Sequence, residues 1–135
     1  MKTVGLSHYN ITAPLELLER VRDFYVEVLE LVVGARPAFM HQGFWLYAGL
    51  EPLVHLTASD AMDARAESDF RQGFFDHVAF SCKGLPEFIE RLKRFCIPYE
   101  IVEIPSLGQT QIFLRDPASV GVELNFVNES SDLKS

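Results

Sequence analysis

Apolar residues change their spacing several times along this chain, and each change predicts a new element. Val4 to Ile11 alternates and reads as a strand, closed by Thr12-Ala13-Pro14, where proline suits the first turn of a helix. Leu18, Val21, Phe24, Tyr25, Val28, Leu29 and Val32 then recur at three- and four-residue steps, which predicts a helix with a single apolar stripe, stopped at Gly34. Three strand-like runs follow, Ala35 to Met40, Phe44 to Ala48 and Leu53 to Ala58, separated by His41-Gln42-Gly43 and Gly49-Leu50-Glu51-Pro52.

The same order then repeats. A strand over Asp76 to Cys82 leads through Lys83-Gly84-Leu85-Pro86 into a helix whose Leu85, Phe88, Ile89, Leu92, Phe95 and Cys96 share one face. Strands over Tyr99 to Ile104, Gln109 to Arg115 and Val120 to Val127 complete it. The organisation expected is one α+β domain of two βαβββ modules, 1–58 and 75–128, with a polar linker at 59–74 carrying one or two helical turns and a frayed tail at 129–135.

Composition narrows the class. With 135 residues, 48% of them hydrophobic, the chain buries one real core and is too short for two independent domains. Its 12 basic and 19 acidic residues give a net charge of −7 without a basic cluster, which argues against nucleic acid and anionic membranes as partners. No apolar run approaches a membrane span, and the expected location is the cytoplasm. Cys82 and Cys96 read as small buried hydrophobes rather than a disulfide.

The candidate chemistry lies in the repeat. His77 follows His8 by 69 residues, and Glu123 follows His55 by 68, so each module offers one ligand-type residue in its first strand and one in its last. Strand alternation puts His55 with Thr57 and Glu123 with Asn125 on one face, while Val54, Leu56, Val122, Leu124 and Phe126 take the other. His77 goes with Ala79 and Ser81; His8 goes with Leu6 and Asn10. A single strand histidine more often satisfies a hydrogen bond in a core than a metal, but four ligand-type residues at repeat-equivalent positions predict a divalent ion. Three imidazoles and one carboxylate suit Fe(II), Mn(II), Co(II), Ni(II) or Zn(II) better than Ca(II) or Cu(I). The same alternation places Gln111 and Phe113 on the cavity face, with Trp45 or Phe44 and Tyr47 nearby, and offers Arg115 and Arg36 to a substrate carboxylate.

Leu6-Ser7-His8-Tyr9-Asn10-Ile11, Phe24-Tyr25, Val28-Leu29, Asp76-His77-Val78-Ala79-Phe80, Phe113-Leu114-Arg115-Asp116-Pro117 and Gly121-Val122-Glu123-Leu124 together resemble the vicinal oxygen chelate superfamily over residues 4–127. That group includes glyoxalase I, methylmalonyl-CoA epimerase, extradiol dioxygenases and fosfomycin resistance proteins. The resemblance implies curved mixed sheets around a metal-centred cavity, ligands at His8, His55, His77 and Glu123, and a homodimer whose modules pair within a chain or swap between subunits. Glyoxalase I usually has a carboxylate where His55 stands, so Glu123 is left as the sole acidic ligand and candidate base. With a divalent ion the site is then about +1 and favours anionic substrates. The function expected is a metal-dependent lyase or isomerase acting on a small metabolite that chelates the ion through two oxygens. An Fe(II) extradiol dioxygenase using His8, His77 and Glu123 is the second reading. A bleomycin-resistance-like binding protein is the third, and the retained ligands count against it.

Overall fold

The computed structural model describes residues 1–60 and 73–131. The chain divides into two compact units, Met1–Arg65 and Ala66–Ser135. Most of the expected linker, residues 61–72, and the last four residues of the tail lie outside the described residues.

The first module runs β1 (Tyr9–Ala13), α1 (Leu15–Leu29), β2 (Val32–Gly34), β3 (Gly43–Ala48) and β4 (Glu51–Ala58). Its sheet has the order β1-β4-β3-β2, with β1 parallel to β4 and the other neighbours antiparallel. The predicted apolar stripe of the helix is buried through Leu18, Val21, Phe24, Tyr25, Val28 and Leu29, and α1 lies on β1, β3 and β4. Leu46, Val54 and Leu56 meet it from the sheet and are fully buried. Tyr9 reaches the same layer and its hydroxyl donates to that of Tyr25 at 2.8 Å.

Three boundaries differ from the expectation. The first strand begins at Tyr9 rather than Val4; its parallel register with β4, Tyr9 opposite Val54, carried two residues back would set Ser7 against Pro52, which has no N–H to offer. Helix α1 ends at Leu29, with Glu30 left-handed at φ 58° and its N–H bonded to Tyr25 O. Val32 therefore leaves the helix for β2, where two consecutive β-branched valines suit a strand. The strand expected over Ala35 to Met40 is absent; Pro37 interrupts that segment.

The second module repeats the plan with β5 (His77–Cys82), α2 (Leu85–Arg94), β6 (Glu100–Ile104), β7 (Gln109–Arg115) and β8 (Gly121–Val127). Its sheet order is β5-β8-β7-β6, again with only the first pair parallel. Leu85, Phe88, Ile89 and Leu92 of α2 are buried together with Ile112, Leu114, Val122, Leu124 and Phe126 of the sheet. The Phe88 and Phe126 rings meet edge-on at 5.5 Å. Asp116 closes the β7–β8 connection, its Oδ1 accepting from the N–H groups of Ala118 and Val120 at 2.8 and 3.0 Å.

The start of the tail is anchored, not frayed. The Glu129 carboxylate accepts from the N–H groups of Gly84 and Leu85 and so caps α2, which has no side-chain cap of its own. Cys96 also corrects the expectation. It lies past the end of α2 at φ 54° and is exposed, whereas Cys82 is half-buried and its thiol pKa is raised to about 11, first by burial and then by the charge of Glu129. Both cysteines are free thiols.

Candidate metal centre and adjoining cavities

In each module the sheet face turned away from the helix carries the polar set. Register then decides what meets. In module one, β1 sets Asn10 beside His55 and β3 sets Trp45 on its other side. In module two, Ala79 and Phe113 flank Glu123 in the same way. His8 stands two residues before Asn10, and His77 two before Ala79. The repeat seen in the sequence is thus a repeat in strand register, and Trp45 and Phe113 are equivalent neighbours of the two last-strand ligand candidates.

Within module one, the rings of His8 and His55 stack at 3.8 Å, and Trp45 stacks on His55 at 4.1 Å. His8 lies just before β1, in contrast to the strand placement expected for it, and is exposed; the Ser7 hydroxyl is 3.0 Å from its Nδ1. His55 Nε2 is 3.1 Å from Pro52 O, which fixes the proton on that nitrogen and leaves Nδ1 as a lone pair. Burial lowers the His55 pKa most, followed by the charge of His8; the Pro52 contact opposes them, and Arg36 lowers it further. This imidazole is therefore held neutral, the state a metal ligand requires.

Module two pairs an imidazole with a carboxylate. Asp76 Oδ2 lies 2.7 Å from His77 Nδ1, and His77 Nε2 lies 3.5 Å from Glu123 Oε1. With Nδ1–H given to Asp76, a neutral His77 would turn a lone pair toward an anionic oxygen. That pair of donors, a ring nitrogen and a carboxylate oxygen facing each other, is one that a divalent ion can bridge. Two donors that share an ion with bonds of about 2.1 Å stand roughly 3.0–3.4 Å apart, close to what His77 and Glu123 present. Glu123 is buried, only 7% exposed, and Phe113 packs edge-on to His77 at 5.7 Å. An Asp–His pair behind a carboxylate thus fits a divalent ion.

The structure therefore brings together His8 with His55, and His77 with Glu123. Among the described residues no group of three or more His, Cys, Asp and Glu side chains is close enough to hold an ion. Asp76, in contact with His77, is not among the site residues expected from the sequence, although it directly precedes the histidine.

A cavity of about 430 Å³ opens beside His55 in module one, bordered by Trp45, Arg36, Phe39, Met40, Asn10 and Thr57. His41, read as a turn residue, also reaches it and pairs with Asp60 at 3.3 Å. Phe44 is on the helix side, under the Arg22 guanidinium at 4.8 Å. Tyr47 packs over Gly34, where a Cβ would come within 2.6 Å of its ring, and its hydroxyl donates to Ala35 O at 2.5 Å. A second cavity, of about 570 Å³, lies in module two against His77, Asp76, Phe113, Tyr99, Glu100 and Arg115. Arg115 donates to Ser119 O at 2.9 Å there, and Gln111 stands opposite Asn125 on the Glu123 face.

No protein-family model matches the chain, and no curated protein does. Solved structures do. A glyoxylase/bleomycin resistance protein/dioxygenase domain from Frankia sp. EAN1pec superposes with a TM-score of 0.69 at 21% identity, covering 96% of each chain. Lactoylglutathione lyase from Agrobacterium tumefaciens gives 0.64 at 20% identity, over 93% of this chain and 95% of that one. A variant of the fosfomycin resistance protein FosX from Listeria monocytogenes, solved with Mn(II) and 1S,2S-dihydroxypropylphosphonic acid, gives 0.66 at 15% identity, over 99% and 100%. The chain has a glyoxalase-like fold, α+β with two βαβββ modules, the fold that its sequence resemblance implied. Its neighbours in that fold include enzymes, and one was solved with a divalent metal. Among the described residues no helix is long and apolar enough to cross a membrane.

Proposed function

We propose that this protein is a divalent-metal-dependent lyase or isomerase of the glyoxalase type, with His8, His55, His77 and Glu123 as the ligand set. The observation that carries the reading is the Asp76–His77–Glu123 arrangement, which holds one imidazole between two carboxylates and calls for a cation at Nε2. The lowered pKa of His55 supports it, because that ring is held ready as a neutral donor. When bound, the ion would serve as a Lewis acid toward two vicinal oxygens of a small metabolite.

The chain's own residues do the rest. Asp76 orients His77. Burial keeps the Glu123 carboxylate away from bulk water, where it acts as the base that takes a proton from substrate carbon and returns it. Trp45, Phe113, Gln111 and Arg115 are the proposed substrate contacts; Tyr47, engaged with Gly34 and Ala35, helps hold the β2–β3 edge beside Trp45. The working form is a homodimer, and the compartment is the cytoplasm.

Reconstitution with Co(II) tests the chelation. The metal-loaded protein should take up acetohydroxamate, a two-oxygen chelator, with a saturable change in the visible cobalt spectrum and without loss of the ion. An unchanged spectrum would mean that the ion has no open positions, and the enzyme reading would fail. Oxygen uptake with a catechol by the Fe(II) form would instead favour the dioxygenase.

A further inference from the structure

Among the described residues, module one carries a charge that no carboxylate balances. The Arg36 guanidinium is permanently protonated. Its Nε is sealed from solvent and makes no hydrogen bond, and no carboxylate pairs with it among the described residues. The group is nevertheless held in place. Its Cζ sits 4.8 Å over the Phe39 ring, and Nη2 occupies space that exists because residue 43 is glycine: a Cβ there would lie 2.9 Å away. A positioned, partly desolvated cation without an anion is costly, which makes it a receptor for one.

Its surroundings narrow what that anion belongs to. The cavity it borders is walled mainly by Trp45, Phe39 and Met40. The polar groups on the same wall are already engaged: Thr57 Oγ1 donates to Asn10 Oδ1 at 2.8 Å, Asn10 Nδ2 donates to Thr12 Oγ1 at 2.8 Å, and His41 is paired with Asp60. Besides the His55 ring, what remains among the described residues is one cation beside a flat aromatic surface.

We infer that this cavity takes a small carboxylic acid with a planar apolar body, the carboxylate on the Arg36 Nη groups and the body against Trp45 and Phe39. That such an acid is the substrate rests on the proposed metal centre, because His55 borders the same cavity; that the cavity binds it does not.

Trp45 is the chain's only tryptophan, so its fluorescence reports on this cavity directly. Metal-free protein kept in chelator is titrated with benzoate and, separately, with benzamide, which has the same shape and no charge. Benzoate should quench saturably and bind roughly tenfold or more tighter than benzamide. Arg36→Gln should bring benzoate down to the level of benzamide and leave benzamide unchanged, with circular dichroism showing an intact fold. Arg36→Lys, which keeps the charge but loses the planar fork, should lose several-fold, and it decides the matter if the glutamine variant does not fold. Equal binding of the two probes, no quenching by benzoate, or benzoate affinity unaffected in the folded variant overturns the inference. Metal content is measured on separate samples. A protein that holds an ion but ignores benzoate overturns this inference alone; one that binds benzoate without ever holding an ion overturns the metal centre alone.

Discussion

The two modules place their ligand candidates at equivalent register positions and surround them with opposite electrostatics. His8 and His55 stack on each other beside a permanent cation, Arg36, whose charge adds to burial and to His8 in lowering the His55 pKa. His77 sits between two carboxylates, those of Asp76 and the buried Glu123. In the proposed centre, module one would offer nitrogen donors and a receptor for an anion, and module two the negative charge that a divalent ion needs. The core beneath, by contrast, stayed symmetrical, with Leu56 and Leu124 one residue beyond the ligands and both fully buried.

That symmetry predicts the largest effects. Leu56→Ala and Leu124→Ala should each lower stability by about 2–5 kcal/mol in chemical denaturation, because each opens a cavity beneath a ligand-bearing strand. A small effect in one module alone would show that the two cores are not equivalent.

The electrostatic asymmetry predicts the next. Asp76→Asn should weaken divalent-metal affinity roughly 10–100-fold in a competition titration, since the proton on His77 Nδ1 loses its anionic partner. Ser7→Ala, which removes the corresponding contact to His8, should cost clearly less. Equal losses would show that the Asp76 contact has no special weight in holding the ion.

Capping is also unequal. Helix α1 starts at Pro14 without a side-chain cap, whereas α2 is capped from a distance by Glu129. Glu129→Ala should therefore destabilise by about 1 kcal/mol in urea unfolding. No change would show that the tail contact is incidental.

The smallest effect concerns Cys82. Its folded thiol pKa, about 11, lies above the 9.0 of an unperturbed thiol. The folded state disfavours the thiolate, so stability is lost as pH rises from 9 toward 11, where the unfolded chain ionises first. Cys82→Ala, which installs the residue that Ala13 supplies in module one, should flatten that part of the melting-temperature profile. In the wild type at pH 8, iodoacetamide should label exposed Cys96 well before Cys82. Comparable labelling rates would contradict the burial described for Cys82.

Much of this was legible in the chain because period and burial are tied together. The apolar face of each helix and the inward residues of β4 and β8 follow directly from spacing, and so does the pairing of His55 with Thr57 and of Glu123 with Asn125 on the other face. What failed to show was set by partners far along the chain. The start of β1 depends on Pro52 in β4, the end of α1 on a left-handed Glu30, and the anchored tail on the bare N-terminus of α2. The site divides in the same way. Ligand candidates stood out through the repeat, but Arg36 is one arginine in an irregular segment, and its unbalanced charge becomes visible only once Phe39, Gly43 and Trp45 are folded around it.

The central claim is that both half-sites serve one ion, and metal content tests it most directly. Protein purified without chelator should carry about one transition metal per chain by elemental analysis, lost in His77→Ala and Glu123→Ala and also in His8→Ala and His55→Ala, all correctly folded. Metal retained when either module's ligands are removed, or no metal in the wild type even after reconstitution, would contradict the account.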